Sequence, residues 1–426
     1  MSVTNVTQTK ESSINVPFTL YDLGWVVLCI GMAIGVGIIY MPIQIGMKGI
    51  WVFLLSVAIS YPAVHYIQNL YLKTLTLSET GESYTEIISI YLGKKWGGIM
   101  GAAYFLMILT GILNYSVGLV NDSGAYLKTF KLTEVNLSGN WLYALLIITG
   151  IVLVASKGER LLFKISGPMI IFKLGVIILL GLVMIPHWSA KNISAIPSIA
   201  PLIRDTLLTL PFSLFSILFV QILSPMNLAY KKTETNPAIA AYRAVRVNRI
   251  AFCVLIVAVL FFALSFSFSF TKEQAEFAAK ENISVLALTS QILPGKIVDT
   301  LAILLNIFAL LSAFFSIYLA FEEAVRGMLI NLFNRSGGRK LSDNKYFSKI
   351  IMIIIIAILW VWVNFNISVL FIMQLAGPVF GLVTCLIPFY LSRKIKNATM
   401  LRTPSTYFVL VYGLLLIISP FFKFFE

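Results

Sequence analysis

Residues 31–42, GMAIGVGIIYMP, place the two residue types that most weaken a helix in a wholly apolar setting. Three glycines fall within seven residues, a proline follows, and the stretch carries no charge. Inside a membrane, backbone groups that leave a helix must find polar partners other than water. Two interpretations follow. Either Gly31 and Gly35 form a small-residue face for close helix packing, or the helix unwinds here.

Unwinding between Ala33 and Gly37 would give this segment a defined chemistry. The helix that restarts after the break presents free N–H groups and a positive dipole end, which bind a carboxylate. The carbonyls that end the preceding helix face a cation or an amine, so the two ends together suit a zwitterionic amino acid. Pro42 favours the unwound form, in which Gly35 and Gly37 allow the backbone to approach the ligand closely.

A second weak point occurs in FVQILSPMNL, residues 219–228, where Gln221 and Ser224-Pro225 lie near the middle of an apolar stretch. Proline removes one backbone hydrogen bond and clashes with the preceding turn. Two interrupted helices at matching positions of two halves point to a transporter site at the interface between repeats. We therefore expect the second break at Ser224-Pro225.

Lys173 lies about 12 residues beyond the basic cluster that begins its apolar stretch, or roughly 18 Å into the membrane. Snorkelling gains only a few ångströms, so the ammonium group must face the protein interior, where a lysine marks a functional site. No carboxylate lies at a similar depth, so its expected partners are the carbonyls freed in residues 31–42. Such a lysine could exchange a proton, or it could simply line a water-filled crevice.

Other polar residues within apolar stretches are candidates to touch a substrate, although such residues also serve to bond neighbouring helices. A pocket with hydroxyl groups suits a small or hydroxylated side chain, whereas Phe215, Phe315 and Tyr115 would suit a larger one. Asp122 and Glu323 lie near opposite ends of two long helices and are candidate gate residues. The remaining candidate substrate contacts are Ser312, Ser316, Ser224 and Gln221.

The elements that must position these residues are membrane helices. The chain has 426 residues, of which 59% are hydrophobic and 12% charged, against about 25% charged in soluble domains. Apolar stretches near the roughly 20 residues that span a bilayer recur throughout. We predict an all-α polytopic fold with eleven spans, at approximately 20–46, 50–72, 96–128, 141–157, 161–186, 205–230, 247–270, 297–331, 349–364, 367–391 and 405–424.

The basic residues fix the expected orientation. With the N-terminus inside, the cytoplasmic loops carry an excess of Lys and Arg of about two to one, so the net charge of +14 reflects topology and not a nucleic-acid partner. We expect a cytoplasmic tail at 1–18 and one transport domain at 19–426. Its parts are a first repeat at about 20–186, a second at about 205–391, and an added helix at about 405–424. The amphipathic segment 271–296 is expected to lie helically along the outer interface.

These motifs resemble the hydroxy and aromatic amino acid permeases of the amino acid–polyamine–organocation superfamily, and within them the serine/threonine permease branch. The resemblance covers most of the chain in order. The segment AIGVGIIYMPIQIG is similar across the whole superfamily, whereas ILSPMN and the AAKENIS loop resemble this branch more specifically. The similar stretches are 33–46, 84–93, 103–121, 182–188, 222–227, 278–288 and 318–329.

The resemblance implies the leucine-transporter-type fold, with five-plus-five inverted repeats, discontinuous helices 1 and 6, and amino acid uptake that is usually coupled to protons. By position, Val36 and Gly37 would bind the carboxylate and Ala33 the amine. The carbonyls of Gly31 and Ile34, with helix 8 around Ser312 and Ser316, would form what is a sodium site in sodium-coupled relatives. Lys173 matches the lysine that fills that site in proton-coupled superfamily members.

We therefore expect a proton-coupled amino acid symporter of a serine/threonine-like substrate, in a bacterial inner (plasma) membrane, with its C-terminus outside. The alternatives are a sodium-coupled or exchange transporter, including one for aromatic substrates, and an amino acid receptor built on a transporter fold. No acid–base pair, nucleophile or metal cluster suggests an enzyme. We expect no cofactor or metal beyond the coupling ion, H⁺ or else Na⁺. The expected partners are an amino acid and the lipid bilayer, with no nucleic acid and no required oligomer.

Overall fold

The computed structural model describes residues 16–75, 84–157, 159–193, 195–292, 295–335, 345–395 and 402–425. Within these ranges the chain is almost wholly helical, and a π-helical turn, Gly381–Leu386, joins two of the helices near the C-terminus. The α-helices in chain order are α1 (Leu20–Ala33), α2 (Val36–Lys48), α3 (Ile50–Leu75), α4 (Tyr84–Leu92), α5 (Lys94–Thr129), α6 (Trp141–Ala155), α7 (Glu159–Met184), α8 (Ile199–Ile217), α9 (Val220–Thr233), α10 (Pro237–Ser269), α11 (Lys272–Lys280), α12 (Val285–Ile292), α13 (Lys296–Arg335), α14 (Lys345–Phe365), α15 (Val369–Phe380), α16 (Ile387–Lys394) and α17 (Pro404–Ile418).

The membrane spans agree with the sequence prediction. Nine stretches in the described ranges are long and apolar enough to cross a bilayer, and the bent pair α1–α2 makes a tenth. The remaining predicted span, 141–157, is α6, which is apolar but has only 15 residues. The prediction of an all-α, polytopic membrane protein is confirmed.

The first predicted break is present in the structure. Helices α1 and α2 meet at 45°, and Ile34 and Gly35 lie between them in non-helical conformations. A Cβ atom on Gly37 would overlap the backbone carbonyl of Phe215 in α8. The helix therefore unwinds, as predicted, at Ile34 and Gly35, within the predicted stretch 33–37. The close-packing interpretation fits Gly31, whose absent side chain makes room for Ile170 of α7.

The second break lies earlier than predicted. Helix α8 ends at Ile217 and α9 begins at Val220, so the break falls at Leu218 and Phe219. The Ser224-Pro225 pair lies inside α9, and the prediction of a break there is wrong. A proline inside a helix forfeits the backbone bond to the residue four positions back, a loss that α9 accommodates. The break instead adjoins Phe215, where the backbone of α2 packs against α8.

Segment 271–296 is helical, as predicted, over most of its described residues. It forms two helices, α11 and α12, and its position along the interface stays a prediction. Ala275 and Ala278 of α11 are buried, and Ala275 fills the space beside Gly46 of α2. An amphipathic pattern identifies an apolar face, but it does not distinguish a protein surface from lipid as the partner of that face.

Helix α7, which carries Lys173, packs against both α1 and α13. Helix α5 packs against α13 and α15. The first broken span, α1–α2, thus contacts α5, α7 and α13, whereas α8, which ends at the second break, contacts α15.

We predict that Gly37→Ala destabilises the protein, because the added methyl group would meet backbone atoms of Phe215 and Ser216 that cannot rotate away. Overpacking of this kind typically costs about 1–3 kcal/mol. The matched control is Gly24→Ala in α1, where nothing lies within 4 Å of the added atom. Thermal unfolding of the purified protein should show a lower midpoint for Gly37→Ala only. Equal midpoints would contradict the close approach.

Candidate functional site

The side chain of Lys173 reaches the first break from α7. Its Nζ atom donates hydrogen bonds to the carbonyl oxygens of Gly31 and Ile34, each at 3.0 Å, and to Oγ of Ser312 in α13 at 2.7 Å. The residue is wholly buried. These are the carbonyls that the sequence identified as partners of Lys173, so the expected contact is present, whereas a role in proton coupling remains a prediction.

The three bonds match the three donors of a protonated lysine. None of the ion pairs within the described ranges includes Lys173. Its electrostatic partners are instead the carbonyls at the C-terminal end of α1, where the helix dipole is negative. The ammonium group thus replaces the backbone hydrogen bonds that α1 loses by ending in the middle of the membrane.

The other end of the break has the opposite polarity. Val36 and Gly37 are the first two residues of α2, so their N–H groups have no acceptor within the helix. Backbone bonds to the Gly35 carbonyl begin only at Ile38 and Ile39. The start of α2 therefore offers two donors and a positive dipole end, an arrangement that binds anions.

A cavity of about 70 Å³ adjoins these donors, which corresponds to the volume of about two molecules of liquid water. Residues from both breaks, from α5, from α13 and from α15 line it. The lining residues are Met32, Ala33, Val36, Gly37, Met107, Thr110, Gly111, Asn114, Tyr115, Phe215, Leu218, Gln221, Ile317, Met373, Ala376 and Phe380.

Two amide side chains in this lining have an oxygen atom without a hydrogen-bond partner. Oδ1 of Asn114 and Oε1 of Gln221 are buried and form no hydrogen bond within the structure. Buried polar atoms are nearly always paired in proteins, so an unpaired one at a cavity is a candidate ligand contact. The remainder of the lining is apolar, with the rings of Phe215 and Phe380 in edge-to-face contact at 4.7 Å between centroids.

The predicted site residues separate into four groups. Those that line the cavity are Ala33, Val36, Gly37, Tyr115 and Gln221. Gly35 lies beside the cavity, where a Cβ atom would come within 2.9 Å of the Tyr115 hydroxyl, and Ser312 contacts Lys173. The structure does not place Ser224 or Phe315 in the lining. The side chains of Ser316 and Glu323 lie outside the described part of the structure.

Asp122, a candidate gate residue, lies in a buried polar cluster between α5, α12 and α13. Its Oδ2 accepts from Nδ2 of Asn306 at 2.6 Å, and its Oδ1 accepts from the backbone N–H of Ser284 at 2.8 Å. Asn306 also donates to the hydroxyl of Tyr126. Asp122 thus ties the loop before α12 to two long helices, and a gating role stays a prediction.

A second buried acid, Asp22, was missed by the sequence reasoning. It accepts a hydrogen bond from the hydroxyl of Tyr230 at 2.6 Å and pairs with Arg246 at 3.0 Å and Arg243 at 3.5 Å. It also completes a capping box with Thr19. The Thr-x-x-Asp spacing before an apolar run was a visible signal for the cap, but nothing local indicated the arginines. This cluster joins the beginnings of α1 and α10 to the end of α9.

Comparison with known proteins places the chain among amino acid transporters. It is 40% identical over 412 residues to a probable serine transporter of Escherichia coli K12, covering 96% of this chain and 93% of the relative. It is 25% identical to the serine transporter SdaC of the same strain, with 95% of each chain covered. It is 26% identical to the threonine/serine transporter TdcC of Yersinia enterocolitica, covering 94% of this chain and 95% of the relative. No protein-family model matches the chain.

Two solved structures share the fold. One is Mhp1, a nucleobase-cation-symport-1 family transporter in a closed conformation with bromovinylhydantoin bound (TM-score 0.54, 13% identity, 94% of this chain and 91% of that one covered). The other is MhsT in complex with L-phenylalanine (TM-score 0.54, 12% identity, 93% and 98% covered). At these identities the likeness concerns the fold alone, and it confirms the predicted leucine-transporter-type class.

Proposed function

Because the chain belongs to the serine/threonine permease family, we propose that it is a proton-coupled symporter that imports serine, threonine or a similarly small amino acid by alternating access. The chain is a multi-pass membrane protein and a transporter, not an enzyme, as its relatives are. One observation carries the proposal: unpaired donors and unpaired acceptors meet at a single small cavity between two broken helices.

In the proposed binding mode, the substrate carboxylate accepts hydrogen bonds from the N–H groups of Val36 and Gly37. The ammonium group donates to the carbonyl of Ala33 at the end of α1, where the helix dipole is negative. The side-chain hydroxyl then faces Gln221 and Asn114, whose oxygens lack partners. Every polar group of serine has a complementary group at the cavity.

Cavity size supports a small substrate. The volume of about 70 Å³ corresponds to only about two molecules of liquid water, so the lining leaves little space for a bulky side chain. An aromatic amino acid would require Phe215 and Phe380 to move apart, since their rings are in contact across the lining. The observed packing thus favours the hydroxylated substrate over the aromatic one.

The arrangement at Lys173 supports proton coupling. A protonated amine supplies three donors to its three acceptors, Gly31, Ile34 and Ser312, whereas a neutral amine has only two. Loss of the proton removes one donated hydrogen and the positive charge that faces the carbonyls of Gly31 and Ile34 at the negative end of α1. The same oxygens could bind sodium only if Nζ moved away, so the geometry favours the proton over sodium.

Release to the cytoplasm requires α1 to separate from its neighbours. With the N-terminus inside, as the distribution of basic residues indicates, the Asp22 cluster lies at the cytoplasmic end of α1. Its bonds to Tyr230, Arg243 and Arg246 must open for the first half-helix to swing. We assign this cluster as the inner gate of a protein in the bacterial inner membrane, with its C-terminus on the outer side.

We predict that Gln221→Leu weakens serine binding by about two- to tenfold, because the hydroxyl group loses its acceptor and a hydrogen bond of this kind contributes about 0.5–1.5 kcal/mol. The stability of the substrate-free protein should not fall, since Oε1 has no partner to lose. Serine and alanine titrations followed by thermal shift measure both effects.

The matched control for Gln221→Leu is Ser224→Ala, one turn along α9 and absent from the lining, which should bind serine normally. The preference for serine over alanine should shrink in Gln221→Leu alone. An unchanged preference would remove Gln221 from the hydroxyl site.

Transport itself is tested with purified protein in liposomes and labelled serine. An imposed acidic exterior should drive accumulation, dissipation of the pH gradient should abolish it, and replacement of sodium by choline should have no effect. Lys173→Met should lose the response to the pH gradient, because the side chain can no longer carry a proton. Lys157→Met, which removes an exposed lysine, should retain it.

Each rival gives a distinct result in the same experiment. Uptake that follows external sodium would indicate a sodium symporter. Uptake that requires internal amino acid would indicate an exchanger. Thermal stabilisation by serine without any flux would indicate a receptor. A normal pH response in Lys173→Met would show that the lysine has a structural role only.

A further inference from the structure

A second cavity, of about 290 Å³, lies away from the central site and shares no lining residue with it. It is formed by α3, α10 and α17. Its lining residues are Tyr66, Asn69, Leu70, Lys73, Val245, Arg249, Thr403, Ser405, Thr406 and Val409. The proposed transport cycle makes no use of this cavity.

The lining residues of this cavity are suited to bind an anion. Two basic side chains, Lys73 and Arg249, contribute to it from different helices, and none of its lining residues is acidic. On the third side stand the hydroxyl groups of Thr403, Ser405 and Thr406, with Oγ1 of Thr403 within 2.8 Å and 3.1 Å of the other two. Cations and hydroxyls around one space are the groups that bind phosphate oxygens.

The position of the cavity indicates which kind of molecule would supply that phosphate. Lys73 lies two residues before the end of α3, and Thr403 immediately precedes α17, so the cavity lies where spans meet the membrane surface. Tyr66, which lines the cavity, contacts Phe408 with ring centroids 6.0 Å apart. Both rings are more than a third exposed, as expected of aromatic residues at the level of lipid headgroups.

We propose that this cavity binds the phosphate group of an anionic phospholipid. Basic pockets between membrane helices bind such headgroups, and here the acyl chains would leave past Tyr66 and Phe408. Arg249 and Lys73 contact the phosphate, and Ser405 donates to it from the first turn of α17. Bound lipid would join α10, which carries Arg243 and Arg246 of the Asp22 cluster, to α3 and α17.

The full-length protein in detergent is titrated with phosphatidylglycerol, phosphatidylcholine or inorganic phosphate, and binding is read by native mass spectrometry and thermal shift. Phosphatidylglycerol should bind and stabilise more than phosphatidylcholine. Arg249→Gln and Lys73→Gln should each weaken phosphatidylglycerol binding by about tenfold, the effect of losing one bond between charged groups. Inorganic phosphate should not compete at millimolar concentration.

The control is Lys232→Gln, which removes an exposed cation at the end of α9, outside the cavity, and should leave lipid binding unchanged. If Arg249→Gln does not fold, Arg249→Lys, which keeps the charge, is tested in its place. Equal lipid binding by wild type, Arg249→Gln and Lys73→Gln would overturn the site. Binding of inorganic phosphate at the same residues would overturn the lipid assignment. Neither result depends on whether the protein transports serine.

Discussion

The ammonium group of Lys173 bonds to the end of a helix that stops in the middle of the membrane, and the rest of the site depends on this contact. Burying an ammonium ion costs on the order of several kcal/mol, and ending a helix in an apolar medium leaves carbonyls unpaired. The two costs offset each other, because the unpaired carbonyls of Gly31 and Ile34 accept the hydrogen bonds that the Lys173 ammonium group must donate. The hydroxyl of Ser312 is the third acceptor.

The break in the first span brings the negative end of one helix dipole and the positive end of the next within a few residues of each other. The negative end of α1 faces Lys173, and the positive end of α2 faces the central cavity. The Lys173 ammonium group thus lies on one side of the break at Ile34 and Gly35, and the proposed carboxylate site lies on the other side. In the proposed mechanism, movement of the α1 end would alter both environments together, and this would couple a proton to the substrate.

Much of this arrangement could be predicted from the sequence, because glycine clustering and the depth of a lone lysine are local signals. Spans, the first break and the Lys173 contact follow from hydropathy, glycine positions and the need to satisfy buried polar groups. The second break did not, since Leu218 and Phe219 carry no helix-breaking residue, whereas Pro225 is retained within a helix. The break adjoins the point where Gly37 packs against α8, a tertiary contact that no local sequence signal indicates. The same limit applies to the pairing of Asp22 with Arg243 and Arg246, which lie more than 200 residues away.

The most direct test of the account is an experimental structure of the protein with serine bound. We expect the serine carboxylate at hydrogen-bonding distance, about 3 Å, from the backbone nitrogens of Val36 and Gly37. We also expect the hydroxyl group beside Gln221 or Asn114. Serine density outside the cavity between the two breaks, or a carboxylate turned away from the start of α2, would contradict this binding mode.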